Sequence, residues 1–337
     1  MSDVIAHILC GEKTLEKINN TTFKTEIAKH PLLLNIGCQG PDIFLYYKVW
    51  PWVKKDEFNS LGNLLHNKKT GDFLYLSAMY LTQQENSDEF FQLFTYIMGL
   101  ICHYNLDRFT HPFIYYFSGI SDGSKETKKY SNYHKQFEII LDSFILKKYK
   151  GKLSSKEKIH NLVKYDINNK LPGIIPSYYK KTIKDVYNIE ISSSIIDTSV
   201  KDMYKVLKLL HDPFCIKKIT LKTFACITKK DLIYSYAIYP HKINYDKDYL
   251  NLNHKKWSHP CSLTEWSRDS FLDLFQSAVD ASASMINDLV DYIISKDEEI
   301  SLKLKNHFRN VSYNTNKQNS PEIQLKYFDC IFEEKNK

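Results

Sequence analysis

Between Phe90 and Cys102 the chain carries about 13 residues that are apolar on almost every side of a helix, with Phe90, Phe91, Leu93, Phe94, Ile97, Met98, Leu100 and Ile101 leaving no polar stripe. A helix of that kind has no face to give to water and lies at the centre of a bundle. Its start is well marked: Ser87 is a good N-cap, and Asp88 and Glu89 set negative charge against the positive end of the helix dipole. Pro112 disfavours helical backbone at the residue before it, so the helix is expected to end near Thr110. The run is too short to cross a bilayer and contains Gln92 and Thr95. Only 10 glycines and 10 prolines are spread over 337 residues, which favours long helices over many short strands and turns. The fold class that follows is all-α, a multi-helix bundle.

Other elements are placed around that axis. A first helix is expected from about Val4 to Ile18, then a loop punctuated by Gly37, Gly40 and Pro41 ahead of Asp42 and the aromatics Phe44, Tyr46 and Tyr47. Helices are expected from about Leu61 to Leu81 and, after a polar loop, from about Tyr130 to Lys150. Ser154 with Glu157, and Ser262 with Glu265, have the spacing of capping boxes. Residues 196–212 and 214–228 read as helices, and Ile233 to Pro260 as irregular. Phe271, Leu274, Phe275, Ala278, Val279, Met285, Ile286, Leu289 and Ile293 keep close to helical spacing. The last 25 or so residues are polar and expected to be loosely held. With no internal repeat or low-complexity linker, the reading is one helical domain over 1–310 and a polar tail over 311–337.

The chemistry sits in His103-Tyr-Asn-Leu-Asp107-Arg-Phe-Thr-His111. Residues four apart on a helix rise about 6 Å and rotate only about 40°, so three ligand-type side chains line one strip of the most buried helix. Burying an Asp and two His is costly unless something compensates, and a bound cation does so. His134-Lys-Gln-Phe-Glu138 repeats the spacing on the following helix, and Asp42, His66 and His7 lie upstream. A lone buried histidine is more often a hydrogen-bonded core residue, and a single pair at this spacing arises by chance; the triad on an apolar helix together with the other groups is what points to metal. His30, His160, His211, His241, His254, His259 and His307 lack such partners and read as surface or structural. Imidazole and carboxylate donors without thiolates suit zinc, with manganese or iron as alternatives. Eight ligands exceed the needs of one ion, so two or three are implied, with one carboxylate shared.

The order His7, Gly-Pro-Asp42, Leu-Gly-x-x-Leu-His66, His103-x3-Asp107-x3-His111 and His134-x3-Glu138 resembles the zinc-dependent phospholipase C family. That family shares its trinuclear zinc fold with the single-strand-specific zinc nucleases. Gly-Cys-Gln-Gly-Pro-Asp-Ile-Phe, His-Asn-Lys-Lys-Thr-Gly and Cys-His-Tyr-x-Leu-Asp are similar to members without a secretion signal, and the likeness covers residues 7–138 best. The resemblance implies an all-helical fold and three sites. Asp42, His66, His103 and Asp107 would hold one zinc; Asp107 would bridge to a second, which also takes His7; His111, His134 and Glu138 would hold a third. Secreted relatives complete the second site with a processed N-terminal Trp. Here the chain begins Met1-Ser2 with no Trp before His7, so that site is expected to use the terminus, to bind weakly or to stay empty, leaving a dizinc centre.

The activity implied is hydrolysis of phosphate diesters, phospholipase C-like, with Asp42 aligning or deprotonating the attacking water. A nuclease or small-molecule phosphodiesterase, with Phe44, Tyr46, Tyr47, Trp50 and Trp52 stacking on bases, is the alternative, and a non-catalytic metal-binding role the third. The expected substrate carries a phospholipid head group or a nucleotide, with possible peripheral membrane contact; the net charge of +7, dispersed over many lysines, suits an anionic partner. No signal peptide or transmembrane segment is visible, and the seven cysteines form no C-x-x-C pair. Cys10, Cys102 and Cys226 in apolar helical contexts read as reduced core thiols, so the expected compartment is cytoplasmic.

Overall fold

The computed structural model of the chain describes residues 4–85, 87–228, 235–320 and 322–333. In chain order it is built from α1 (Val4–Glu16), α2 (Thr21–Ala28), α3 (Pro31–Gly37), a 3-10 turn (Gly40–Tyr46), α4 (Leu61–Asn67), α5 (Thr70–Thr82), α6 (Asp88–Ser118) and α7 (Lys128–Lys150). There follow α8 (Ile159–Leu162), α9 (Ile174–Tyr187), α10 (Ser193–Leu210), α11 (Ile216–Thr228), a two-stranded antiparallel ribbon β1 (Trp257–His259) and β2 (Ser262–Ser267), α12 (Phe271–Ser295) and α13 (Glu298–His307). The all-α class expected from composition is what forms.

α6 is the axis. Its apolar half is buried on all sides, and α1, α3, α5, α7 and α12 pack around it. The Ser87 hydroxyl accepts from the Phe90 amide, as the sequence predicts. The helix does not stop near Thr110 but continues through Pro112 to Ser118. A mid-helix proline costs roughly 3 kcal/mol, and the residues beyond it offset that cost: Phe113 and Ile114 are buried, and Phe113 packs on Phe117, Phe137, Trp257 and Phe271. Gly119, at φ +88°, ends the helix.

α3 crosses α6 at backbone contact. A Cβ on Gly37 would stand 2.3 Å from the Tyr96 carbonyl oxygen, and one on Gly99 would stand 2.5 Å from the Cys38 nitrogen. These two glycines set the depth at which the loop carrying Asp42 meets α6. Residues 19–41, expected as loop, hold α2 and α3, and α9 and α13 lie where the sequence pattern marks no helix. The helix expected over Leu61 to Leu81 is broken at Lys68 and Lys69. Lys69 is left-handed (φ +50°), and the Tyr187 hydroxyl donates to the Lys68 carbonyl at 2.7 Å, a tertiary pin that no local pattern reveals.

Ser262 to Glu265 lies in β2 and is no cap; the box forms at Ser270 and Asp273, where α12 starts. Ser154 opens only a 3-10 turn and bonds Ser143 instead. Described parts of the segment after 311 are held by the rest of the fold, although its composition is polar. Val311, Ser312 and Tyr313 are buried, the Tyr313 amide donates to the His66 carbonyl at 3.0 Å, and the amides of Asp329 and Ile331 donate to the carbonyls of Tyr116 and Phe117. Backbone that finds protein partners needs no apolar pattern to be held. Cys10, Cys38, Cys102, Cys215, Cys261 and Cys330 are free thiols; the side chain of Cys226 and residues Met1 and Ser2 lie outside what is described.

Gly99→Ala is expected to cost about 1–3 kcal/mol or more of folding stability, because its methyl would meet backbone that cannot rotate away. A urea melt that leaves the midpoint unchanged would show that α3 and α6 are less closely seated.

Candidate metal centre

Five separate segments deliver the eight expected residues to one place. α6 supplies His103, Asp107 and His111 on one strip, α1 His7, the 3-10 turn Asp42, α4 His66, and α7 His134 and Glu138. Their donor atoms fall into three groups: His7, His103 and Asp107; Asp42, His66 and His103; and His111, His134 and Glu138, each within 4.8 Å. Gly40 makes the first two possible. At φ +51° it turns the chain under α6, and a Cβ there would stand 2.5 Å from the His103 ring.

Asp107 stands at the junction. Its Oδ1 lies 3.2 Å from His7 Nε2 and 3.6 Å from His111 Nε2, while Oδ2 lies 3.1 Å from His103 Nε2 and 3.8 Å from His66 Nε2. One carboxylate thus presents its two oxygens to two different sets of imidazoles. His66 Nε2 is 3.1 Å from Asp42 Oδ1, and His134 Nε2 is 3.1 Å from Glu138 Oε1. In a tetrahedral zinc site with bonds of 2.0–2.1 Å, neighbouring ligand atoms are about 3.3 Å apart. The observed separations bracket that value.

The rings are held from behind. His66 Nδ1 faces the Gly62 carbonyl at 2.7 Å, His103 Nδ1 the Cys38 carbonyl at 3.0 Å, and His111 Nδ1 the Tyr313 carbonyl at 3.2 Å. A carbonyl oxygen only accepts, so each Nδ1 carries a proton and each Nε2 turns a lone pair inward, the arrangement in which histidine ligates metal. His7 and His103 stack at 4.2 Å.

Electrostatics agree with an anionic cradle. Burial alone would raise the Asp107 pKa, yet His111, His103 and His7 hold it well below the ordinary range. Burial would likewise raise Glu138, yet its carboxyl lies well below the ordinary range, with His134 and His111 among the groups that lower it. Asp42 is lowered by His66 against the same burial penalty. Burial lowers His7 with help from His103, whereas Asp107 overcomes burial to raise His103.

The donor set fits a zinc-type cation. His7 Nε2, His103 Nε2 and Asp42 Oδ1 are sealed from solvent with no hydrogen bond of acceptable geometry, and buried polar atoms seldom remain so. Cations held by the first two groups would satisfy all three.

Two contributors escaped the sequence reading. Tyr313 packs its ring 5.1 Å from His66 and 5.8 Å from His103, and nothing in its polar surroundings announces this. Asp142 did leave a signal, because it extends His134-x3-Glu138 by four more residues. Its carboxylate accepts from the amides of Ile5 and Ala6 at 2.9 and 2.8 Å and from the Tyr239 hydroxyl at 2.7 Å. It therefore anchors the start of α1 just ahead of His7.

A family model described as zinc-dependent phospholipase C matches residues 6–193 of the chain. No curated protein and no solved structure matches it.

Purified protein is expected to carry two or three equivalents of zinc, and chelation should lower its melting temperature because binding contributes folding energy. Elemental analysis below one equivalent after zinc supplementation, or a melt indifferent to chelator, would remove the metal reading. Asp107→Asn should lower zinc content more than Glu138→Gln, since Asp107 faces four imidazoles from three helices; the reverse order, measured by the same analysis, would overturn the bridging assignment.

Proposed function

The chain belongs to the zinc-dependent phospholipase C family, and on that premise we propose that it hydrolyses phosphate diesters with phospholipase C-like specificity. The observation that carries the reading is the Asp107 carboxylate shared between two imidazole sets, which suits a closely spaced pair of cations. Asp42, His66, His103 and Asp107 are assigned to one ion, His7 and Asp107 to a second, and His111, His134 and Glu138 to the third. Bound zinc supplies Lewis acidity, which neutralises phosphoryl oxygens and makes a water acidic enough to attack near neutral pH.

The chain's own residues do the rest. Asp42 is already ionised and accepts from the attacking water, fixing its approach. A carboxylate whose pKa is held below the ordinary range is a poor proton store, so alignment is its main task. Lys135, whose Nζ stands 3.9 Å from Glu138 Oε2 and which lines a cleft with Tyr46, His211 and Tyr239, supplies positive charge for the anionic head group. Burial of the imidazole cluster keeps bulk water from screening these charges.

Cleavage of single-stranded nucleic acid is the second reading, favoured by one feature. Trp50 and Trp52 stack at 5.4 Å, Trp50 is pinned by a 2.9 Å bond to Asp202, and Trp52 is 76% exposed, leaving a ring face for a base.

Zinc-loaded protein is expected to release phosphocholine from phosphatidylcholine, and Asp42→Asn to lose about 10²-fold or more of that rate. Side-by-side assays on phosphatidylcholine and single-stranded DNA decide between the readings: hydrolysis of DNA alone would replace the lipase by the nuclease, and no chelator-sensitive hydrolysis of either would end both.

A further inference from the structure

α11 turns an apolar face outward. Ile216, Ile219 and Ile227 are between 63% and 77% exposed, and at 100° per residue they fall within an arc of about 80°. Phe214, in the turn before the helix, is 77% exposed, and Leu209 at the end of α10 is 55% exposed. An isolated exposed apolar residue is ordinary, but five drawn from a stretch of 19 residues need an occupant.

The charge around this face identifies that occupant. Lys217 and Lys222 border the arc on its two sides, and Lys201, Lys205 and Lys208 stand exposed on α10. Between 201 and 230 the sequence holds eight lysines and two acidic residues. Both acids are buried and engaged, Asp202 with the Trp50 indole and Asp212 with the Lys218 amide, so they do not offset the lysines at the surface. Branched aliphatic and phenyl side chains flanked by lysines on a helix make the pattern that lies in a membrane interface, with the apolar face among the acyl chains and the lysines at anionic head groups. No helix among the described residues is long and apolar enough to cross a membrane, so contact would be peripheral.

The position of the helix gives that contact a purpose. His211 and Asp212, in the turn that leads into α11, line the cleft shared by Tyr46 and by Lys135, which neighbours the metal ligand candidate His134. We propose that α11 is an interfacial docking helix that seats the protein on anionic phospholipid surfaces, with the cleft lined by Lys135, the residue after the ligand candidate His134, opening beside it. The proposal deepens the phospholipase reading of the site, but vesicle binding tests it without requiring any turnover.

Sedimentation with large unilamellar vesicles of phosphatidylcholine and phosphatidylglycerol in equal parts, and of phosphatidylcholine alone, is the experiment. The wild-type protein should bind the anionic vesicles more tightly than the neutral ones, and less tightly as salt rises. Ile219→Asp/Ile227→Asp should weaken binding by roughly tenfold or more, with melting temperature and zinc content unchanged because both positions face solvent. Lys222→Glu should remove part of the preference for anionic lipid while leaving binding to neutral vesicles unaltered. Failure of the wild-type protein to bind either vesicle, or equal binding by the double variant, overturns the proposal. So does a wild-type dimer on gel filtration that the double variant converts to monomer without loss of vesicle binding, since the face would then belong to a second copy. Vesicle binding lost in the double variant, in a protein that never releases phosphocholine, would leave the docking helix standing and remove only the phospholipase reading.

Discussion

A buried carboxylate governs this molecule. Asp107 sits on the central helix with essentially no solvent contact, and imidazoles from α1, α4 and two further turns of α6 converge on its two oxygens. An ion taken out of water costs several kcal/mol unless partners surround it. The partners come from segments up to a hundred residues apart, so the folds of those segments are constrained to meet. The ordering of α1, the Asp42 turn and α4 around α6 is the geometric solution to that requirement.

That convergence depends on backbone as much as on side chains. Gly37 and Gly99 bring α3 and α6 to contact distance, which places the Cys38 carbonyl behind His103, and Gly40 then tucks the Asp42 turn beneath the same ring. The region matched by the family model ends at 193, yet the support of the centre does not. α12 packs along α6, Tyr313 lends its carbonyl to His111 and its ring to His66, and residues 329 and 331 bond the last turns of α6. The C-terminal third acts as a brace for a site whose ligand candidates all lie before residue 139.

Burial is not uniform across the centre. His7 and His103 are sealed, whereas the His134 side chain retains 14% of its exposure. The less buried side therefore lies toward α7, and Lys135, next in the chain, lines the cleft bounded by Tyr46 and the α10–α11 turn. Carboxylates lie inside the centre, and exposed lysines stand along α10 and α11.

What the sequence determined by itself was the axis and its chemistry. An all-round apolar run followed by His103, Asp107 and His111 at four-residue steps admits one local conformation, and that periodicity places the three donors on one strip whatever surrounds them. His134 and Glu138 were legible for the same reason, and Asp142 would have been on a longer look at the same helix. The tertiary structure alone decided where α6 ends, where the Leu61 to Leu81 segment breaks, and which carbonyls set the histidine tautomers. Those outcomes rest on contacts between residues as far apart as Tyr187 and Lys68, or Tyr313 and His66. Local propensities differ by about 1 kcal/mol or less for most residues, and a single buried aromatic or a tertiary hydrogen bond outweighs them. The same arithmetic accounts for the polar segment after 311: its backbone amides pair with carbonyls of α4 and α6, and periodicity carries no trace of a partner that is not nearby in the chain.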